Sequence, residues 1–171
     1  MTVIAGIASE GVVYLSGDRG ASDGDSILSM TTPKICKVGD FVIGYAGSGG
    51  LGQILKHMEC WTRHPKNAER FLRNDFVEEF KAAREKFGGK DEEESSLLIG
   101  YKGVLYEMET SDYGVYPFAY TAIGSGGPIA LGSLHSTENT AFLPQMRVEK
   151  AVEAAIAHSP SCLGPIDTLF S

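Results

Sequence analysis

Residues 1–20 read MTVIAGIASEGVVYLSGDRG, and this stretch decides the fold. TVIAGIAS and VVYLSGD are rich in β-branched residues and are separated by the dipeptide Glu10-Gly11, which predicts two strands joined by a tight hairpin turn. GASDGDS, at 20–26, is expected to be a loop by its Gly, Asp and Ser content. SILSM, KICKV and FVIGYAG predict three more short strands, with Gly39-Asp40 as another tight turn. A helix is expected from the glycine-rich entry SGGLGQILKHMECW. The strongest helical signal is NDFVEEFKAAREKF, with Asp75 as N-cap and Phe76, Phe80, Ala83 and Phe87 on one stripe.

SSLLIGY and VLYEMET then predict a strand pair joined by Lys102-Gly103. YTAIGSGG leads into a helix through PIALGSLHSTE. RVEKAVEAAIAH places Val148, Ala151, Val152, Ala155 and Ile156 on one helical face, and GPIDTLF closes as a strand. Strands in consecutive runs with helices in two pairs favour an α+β fold of antiparallel sheets covered by helices over an alternating βαβ fold. No repeat, linker or low-complexity segment interrupts residues 1–171, so one domain is expected.

Composition narrows the function. A net charge of -7 argues against nucleic acid or an anionic membrane as partner. The densest charge cluster, KDEEE at 90–94, is itself acidic and reads as a solvated loop. Cys36, Cys60 and Cys162 are odd in number and widely spaced, which disfavours a disulfide framework or a zinc site and fits a reducing cytoplasm. The apolar start lacks a basic lead and contains Glu10, making it a poor signal peptide. GSGGLG at 47–52 satisfies a dinucleotide-binding pattern, but several hairpin strands precede it and the parallel return strand is missing. His57, His64, His135 and His158 show no metal-ligand spacing.

Threonine beside the initiator permits removal of Met1. Thr2 would then carry a hydroxyl nucleophile and a free α-amine whose pKa, about 7.7–8.0, suits a general base near neutrality. One residue supplies both halves of a nucleophile–base pair. Sixteen residues separate Thr2 from Asp18, sixteen more lead to Lys34, and Gly47 lies thirteen further on. With AIGSGG at 122–127, this pattern resembles the proteasome β-subunits and the bacterial HslV peptidase, members of the N-terminal-nucleophile hydrolases. The likeness is strongest through residue 50, moderate at 95–132 and weak at the C-terminus.

The resemblance implies a four-layer αββα sandwich and a threonine-type endopeptidase acting on unfolded proteins or peptides. Thr2 would attack, Lys34 would lower the nucleophile's pKa, Asp18 would aim Lys34, the Gly47 N–H would face the oxyanion, and Ser125 would bond the Thr2 amine region. Gly47 is expected to be glycine because a Cβ would obstruct the substrate. Ser22, Tyr45 and Gly49 would bind substrate, Ser22 through backbone in the manner of an added strand and Tyr45 in the pocket before the cut. Partners implied are stacked rings of the same chain and a separate ATP-driven unfoldase; no long propeptide is needed.

One region departs from the resemblance. Proteasome subunits place an aspartate and then a serine after the last long helix, whereas this chain reads AAIAHSPSCLGPID, leaving Ser159 or Ser161 as stand-ins. The resemblance to the bacterial peptidase, which binds a monovalent cation through backbone carbonyls in this region, makes an ion near Ala157–Cys162 the one cofactor to consider. Two other readings stay open: an inactive, ring-forming structural homologue, and a small-molecule amidohydrolase of the same fold.

Overall fold

The structure, a computed structural model, describes residues 2–22, 25–87 and 95–171. Met1 and the acidic run at 90–94 lie outside the described residues. Short turns set the architecture. Strands β1 (Ile4–Ser9) and β2 (Val12–Gly17) pair antiparallel about Glu10 and Gly11, both at positive φ (50° and 80°). Positive φ at both central positions gives a turn whose twist matches that of the flanking strands. Gly39 (φ 57°) opens the turn between β5 (Ile35–Val38) and β6 (Phe41–Ala46). Lys102 (φ 47°) and Gly103 (φ 76°) repeat the first arrangement between β7 (Ser96–Tyr101) and β8 (Val104–Glu109).

Two main sheets result. One has the order β10-β1-β2-β11, with β10 spanning Tyr120–Ile123 and β11 spanning Asp167–Phe170; the other is the meander β5-β6-β7-β8-β9, closed by Val115–Phe118. Side-chain alternation along the strands builds three separate apolar layers. Ile4, Val13, Leu15, Ile35, Val42, Leu98 and Leu105 fill the space between the sheets. From the opposite pleats, Val3, Ala5 and Ile7 pack under helices α4 (Gly127–Ser136) and α5 (Pro144–His158). Phe41, Ile43, Leu97, Ile99 and Tyr101 pack under α1 (Leu51–His57), α2 (Ala68–Phe71) and α3 (Val77–Lys86). Three cores between four layers make an αββα sandwich. Gly44 and Gly100 sit in the middle layer because a Cβ there would meet Ile4 Cγ2 at 2.7 Å and Val42 Cγ2 at 2.6 Å.

Several expectations need correction. Asp75 does not cap a helix: the helix begins seven residues earlier, where the Asn67 side chain accepts from the Arg70 N–H at 2.9 Å. Asp75 lies inside a π-helical stretch, Leu72–Phe76, that joins α2 to α3. The stripe also ends early, since Phe76 and Phe80 are fully buried while Phe87 is exposed. Part of the expected loop at 20–26 is strand β3 (Gly20–Ser22), paired with β4 (Ile27–Ser29) in a separate two-stranded sheet, where backbone pairing overrides local composition. β9 carried no alternating signal: its Tyr116 and Phe118 are exposed and Pro117 removes a donor, as befits an edge strand.

Candidate active site

The hairpin geometry accounts for the spacing of the site residues. Carrying the β1–β2 pairing one step beyond Ile4↔Gly17 sets Val3 opposite Asp18, and the Asp18 N–H donates to the Val3 carbonyl at 3.2 Å. Two steps beyond Ile4↔Ile123 on the other flank set Thr2 opposite Ser125; the Thr2 N–H donates to Ser125 Oγ at 3.2 Å, and Gly126 N–H to the Thr2 carbonyl at 3.0 Å. In the second sheet, one step beyond Ile35↔Gly44 sets Lys34 opposite Tyr45, whose N–H donates to the Lys34 carbonyl at 3.2 Å. Thr2, Asp18, Lys34 and Ser125 thus each lie one or two residues past the end of a strand.

Sheet packing then joins the two sets. Gly17 has no Cβ, and the place one would take lies 3.2 Å from Ile35 Cγ2. The next residues along each chain, Asp18 and Lys34, meet in a buried ion pair with Nζ 2.8 Å from Oδ1. The same Oδ1 accepts the Val3 N–H at 3.0 Å, so the ammonium shares an oxygen with the residue following Thr2. Oδ2 accepts the N–H groups of Gly20 (3.0 Å) and Leu163 (3.1 Å). Four donors hold a carboxylate that is 0% exposed, which fixes Lys34 and the start of β1 together. Burial pulls the Lys34 ammonium below its ordinary pKa, against the hydrogen bond and charge of Asp18. Thr2 itself is buried, at 4% exposure.

Gly47 follows β6 at φ 124°, a conformation side chains rarely adopt. The reason for glycine differs from the expected one. The position of a Cβ is filled from behind by the Ser95 side chain, not left open for substrate. Ser95 Oγ also accepts the Ser48 N–H at 3.3 Å, and Ser95 is anchored in turn by its N–H to Thr110 Oγ1 at 2.9 Å. Gly47 and Gly49 are exposed, and nothing lies within 4 Å of a Cβ placed on Gly49. Ser22 is a half-buried member of β3, paired with Ile27. Tyr45 is 8% exposed, belongs to the outer core, and packs its ring on Gly52 of α1.

Sequence reading missed two features. Arg19 clamps Asp167 of β11 through Nε (2.7 Å) and Nη2 (2.5 Å) and donates from Nη1 to the Thr31 carbonyl at 2.9 Å, tying the last strand to the segment ahead of Lys34. Ser95, remote in sequence, sets the Gly47 loop. Of the two proposed stand-ins after α5, Ser161 Oγ lies 2.9 Å from Ser125 Oγ, and Ser159 Oγ lies 2.7 Å from Ser161 Oγ. A buried threonine hydroxyl, a fixed cation, a chain of hydroxyls and an exposed glycine loop are groups of the kind that acyl transfer uses.

No family model matches the chain. It is 26% identical over 182 aligned residues to the proteasome subunit beta of Frankia alni, covering 98% of this chain and 66% of that protein's own length. Among solved structures, Thiobacillus denitrificans BPH in complex with epoxomicin superposes with a TM-score of 0.84 at 20% identity, covering 99% of this chain and 98% of that one. The eukaryotic HslV of Trypanosoma brucei superposes with a TM-score of 0.73 at 18% identity, covering 99% and 98%. The chain therefore shares the fold of these two structures and is similar in sequence to a proteasome subunit beta.

Proposed function

We propose that the chain is a threonine-type endopeptidase whose nucleophile is Thr2, freed by removal of Met1. The observation that carries this reading is the shared Asp18 oxygen, which holds Lys34 against the start of β1 while Ser125 engages the Thr2 nitrogen. Thr2 Oγ1 attacks the scissile carbonyl carbon, and its proton passes through water to the Thr2 amine. The resulting oxyanion meets the Gly47 N–H, and the Lys34 cation steadies the developing negative charge. Collapse breaks the C–N bond, the amine returns the proton to the leaving nitrogen, and water then hydrolyses the Thr2 ester. Substrate lies extended between the Ser22 and Gly49 segments, with Tyr45 beside the residue before the cut.

Unfolded chains are the substrates, and self-assembly into stacked rings in the cytoplasm confines the sites. Exposed Leu131, Phe142, Leu143 and Met146 on and before the α4–α5 pair support self-association. A separate ATP-driven unfoldase would feed the rings. A monovalent cation on the carbonyls of 157–162 takes no part in the scheme, and the Ser159 carbonyl already accepts the Cys162 N–H at 3.3 Å.

The test is treatment of the purified protein with an epoxyketone, with intact mass and adduct mapping. A Thr2 adduct on a chain lacking Met1, abolished in Thr2→Ala, is expected; labelling that persists in Thr2→Ala overturns the assignment. The inactive-subunit reading has one observation in its favour, the lack of any carboxylate at Ser159–Cys162. Retained Met1 in the assembled protein would support it.

A further inference from the structure

Two cavities open where the outer helix layer begins. One, of about 350 Å³, lies between the first residues of α2 and the β7–β8 hairpin, and is lined by Lys66, Glu69, Tyr101, Lys102, Val104 and Tyr106 among others. The second, of about 370 Å³, shares Asn67 and Glu69 with the first and adds Arg70, Arg73 and Asn74. Small-molecule sites span about 300–1,000 Å³, so either cavity can hold a small organic ligand. Tyr101 ends β7, the strand that begins beside Ser95, so the length of β7 separates these cavities from the Gly47 loop. Arg73 and Asn74 belong to the π-helical stretch Leu72–Phe76, a distortion that recurs at functional sites.

Tyr106 gives the first cavity its chemistry. The residue is 6% exposed and its ring belongs to the outer core, yet among the described residues its hydroxyl has no hydrogen-bond partner. A buried phenol ordinarily finds one. The oxygen is not sealed inside the core, and the open space it meets is the cavity. Burial, and then the charge of Glu69, raises the phenol's pKa, so near neutral pH the hydroxyl keeps its proton and is a donor. The cations around it are available as well. Among the described residues, Lys66, Arg70 and Lys102 have no carboxylate partner, in a chain of net charge -7. Glu69, the one carboxylate lining either cavity, is matched by Arg73 at 3.0 Å.

We propose that this cavity binds a small phosphate monoester, with the phosphate held by Lys66, Lys102 and the Tyr106 hydroxyl and the carbon body against Val104 and the Tyr101 ring. Three donors on separate residues suit the three terminal oxygens of a phosphate monoester better than the two of a carboxylate, and ammonium groups serve phosphate as point charges. Arg70, in the adjoining cavity, adds a further positive charge to the approach. The site uses no residue of the Thr2 constellation and is independent of the peptidase reading.

The experiment is isothermal titration of the full chain with phenyl phosphate and with inorganic phosphate, at fixed ionic strength and about pH 7.5, where the ester is largely a dianion. Wild type should bind phenyl phosphate about tenfold more tightly than inorganic phosphate, because the ring buries apolar surface. Tyr106→Phe should weaken phenyl phosphate about tenfold, the loss of one hydrogen bond to a charged group. Its thermal midpoint should match wild type, since the hydroxyl bonds nothing in the folded chain. Lys66→Gln/Lys102→Gln should weaken both probes at least about tenfold, and added salt should weaken wild type. Absence of binding by either probe up to about 10 mM, or equal affinity of wild type and Tyr106→Phe, overturns the site. Binding of inorganic phosphate with phenyl phosphate excluded overturns the ester. A lower midpoint in Tyr106→Phe would mean that the hydroxyl already serves the fold, and would overturn its role as the ligand's donor.

Discussion

Asp18 concentrates more of the site than any other residue. One carboxylate accepts from Lys34 Nζ and from three backbone N–H groups, on Val3, Gly20 and Leu163. Removing it leaves an ammonium at 3% exposure without its carboxylate, a loss that costs about 3–5 kcal/mol in comparable buried pairs. Asp18→Ala should lower the urea-unfolding free energy by that amount, and Asp18→Ala/Lys34→Met should recover part of it. No recovery would mean that the carboxylate serves the backbone more than the lysine. The lysine also sets a pH response. Burial lowers its folded-state pKa below the 10.5 of an unfolded lysine, so between those values the unfolded chain holds the extra proton. Stability due to this group rises with pH across that window, while labelling of Thr2, which on the proposed mechanism uses the cation, should fall. The alkaline limb of labelling should therefore lie below pH 10.5 and vanish in Lys34→Met, whose rate is low throughout. Thr2, Asp18 and Lys34 were singled out from their spacing and the resemblance it carries; the short β1–β2 turn converts the offset of the first two into register, whereas the meeting of Asp18 with Lys34 depends on how the two sheets pack. Arg19 was not: its partner Asp167 is fixed by how the segment after α5 docks on β2, which no local pattern encodes.

Among the elements, the Gly47 loop is the most constrained. Its φ of 124° and the Ser95 side chain oppose a Cβ by two separate means, conformational and steric. Gly47→Ala should destabilise the fold by about 1–3 kcal/mol and abolish labelling of Thr2. Gly47→Ala/Ser95→Gly clears the space but keeps the backbone strain, so thermal melts should show part of the lost stability return. Full return would mean that the conformation itself costs little. In the outer helix layer, Asn67→Ala should cost about 1 kcal/mol, because the cap on Arg70 N–H is lost. That cap illustrates how helix starts can mislead. Asp75 looks like an N-cap in sequence, yet the π-helical stretch Leu72–Phe76 carries the helix through it, and the buried ring of Phe71 fixes the earlier turn. Strand pairs joined by Glu10-Gly11, Gly39-Asp40 and Lys102-Gly103 could be read directly, since each turn residue pair states its own pairing.

Taken whole, the molecule owes its four layers to strands buried on both faces. Alternation along β1, β6 and β7 sends neighbouring residues into different cores, so a continuous apolar run such as FVIGYA marks a strand between a sheet and a helix layer. The strand at FVIGYAG was read from the sequence and the four layers were implied by the resemblance; which sheet would face which was not visible, because the contact of Gly17 with Ile35 joins residues from different hairpins. The outer core provides a probe of the entire sandwich. Cys60 is 0% exposed and its thiol is pushed up to about 12, chiefly by burial and then by the charge of Glu79. Thiolate is the reactive form, so in the native state Cys60 is protected both by access and by protonation. Its thiol sits among Trp61, Phe76 and Phe80, which must separate before a reagent can enter. At pH 8, iodoacetamide should modify Cys60 only through unfolding of the sandwich, at a rate that follows global stability. Leu98→Ala, which opens the layer between the sheets and should cost about 2–5 kcal/mol, would then accelerate Cys60 modification although the two residues lie in different cores. Mass-spectrometric counting of alkylated Cys60 peptides against urea concentration checks this. If Leu98→Ala left the Cys60 rate unchanged while lowering the unfolding midpoint, the outer helix layer would be opening on its own, and the four layers would not unfold as one unit.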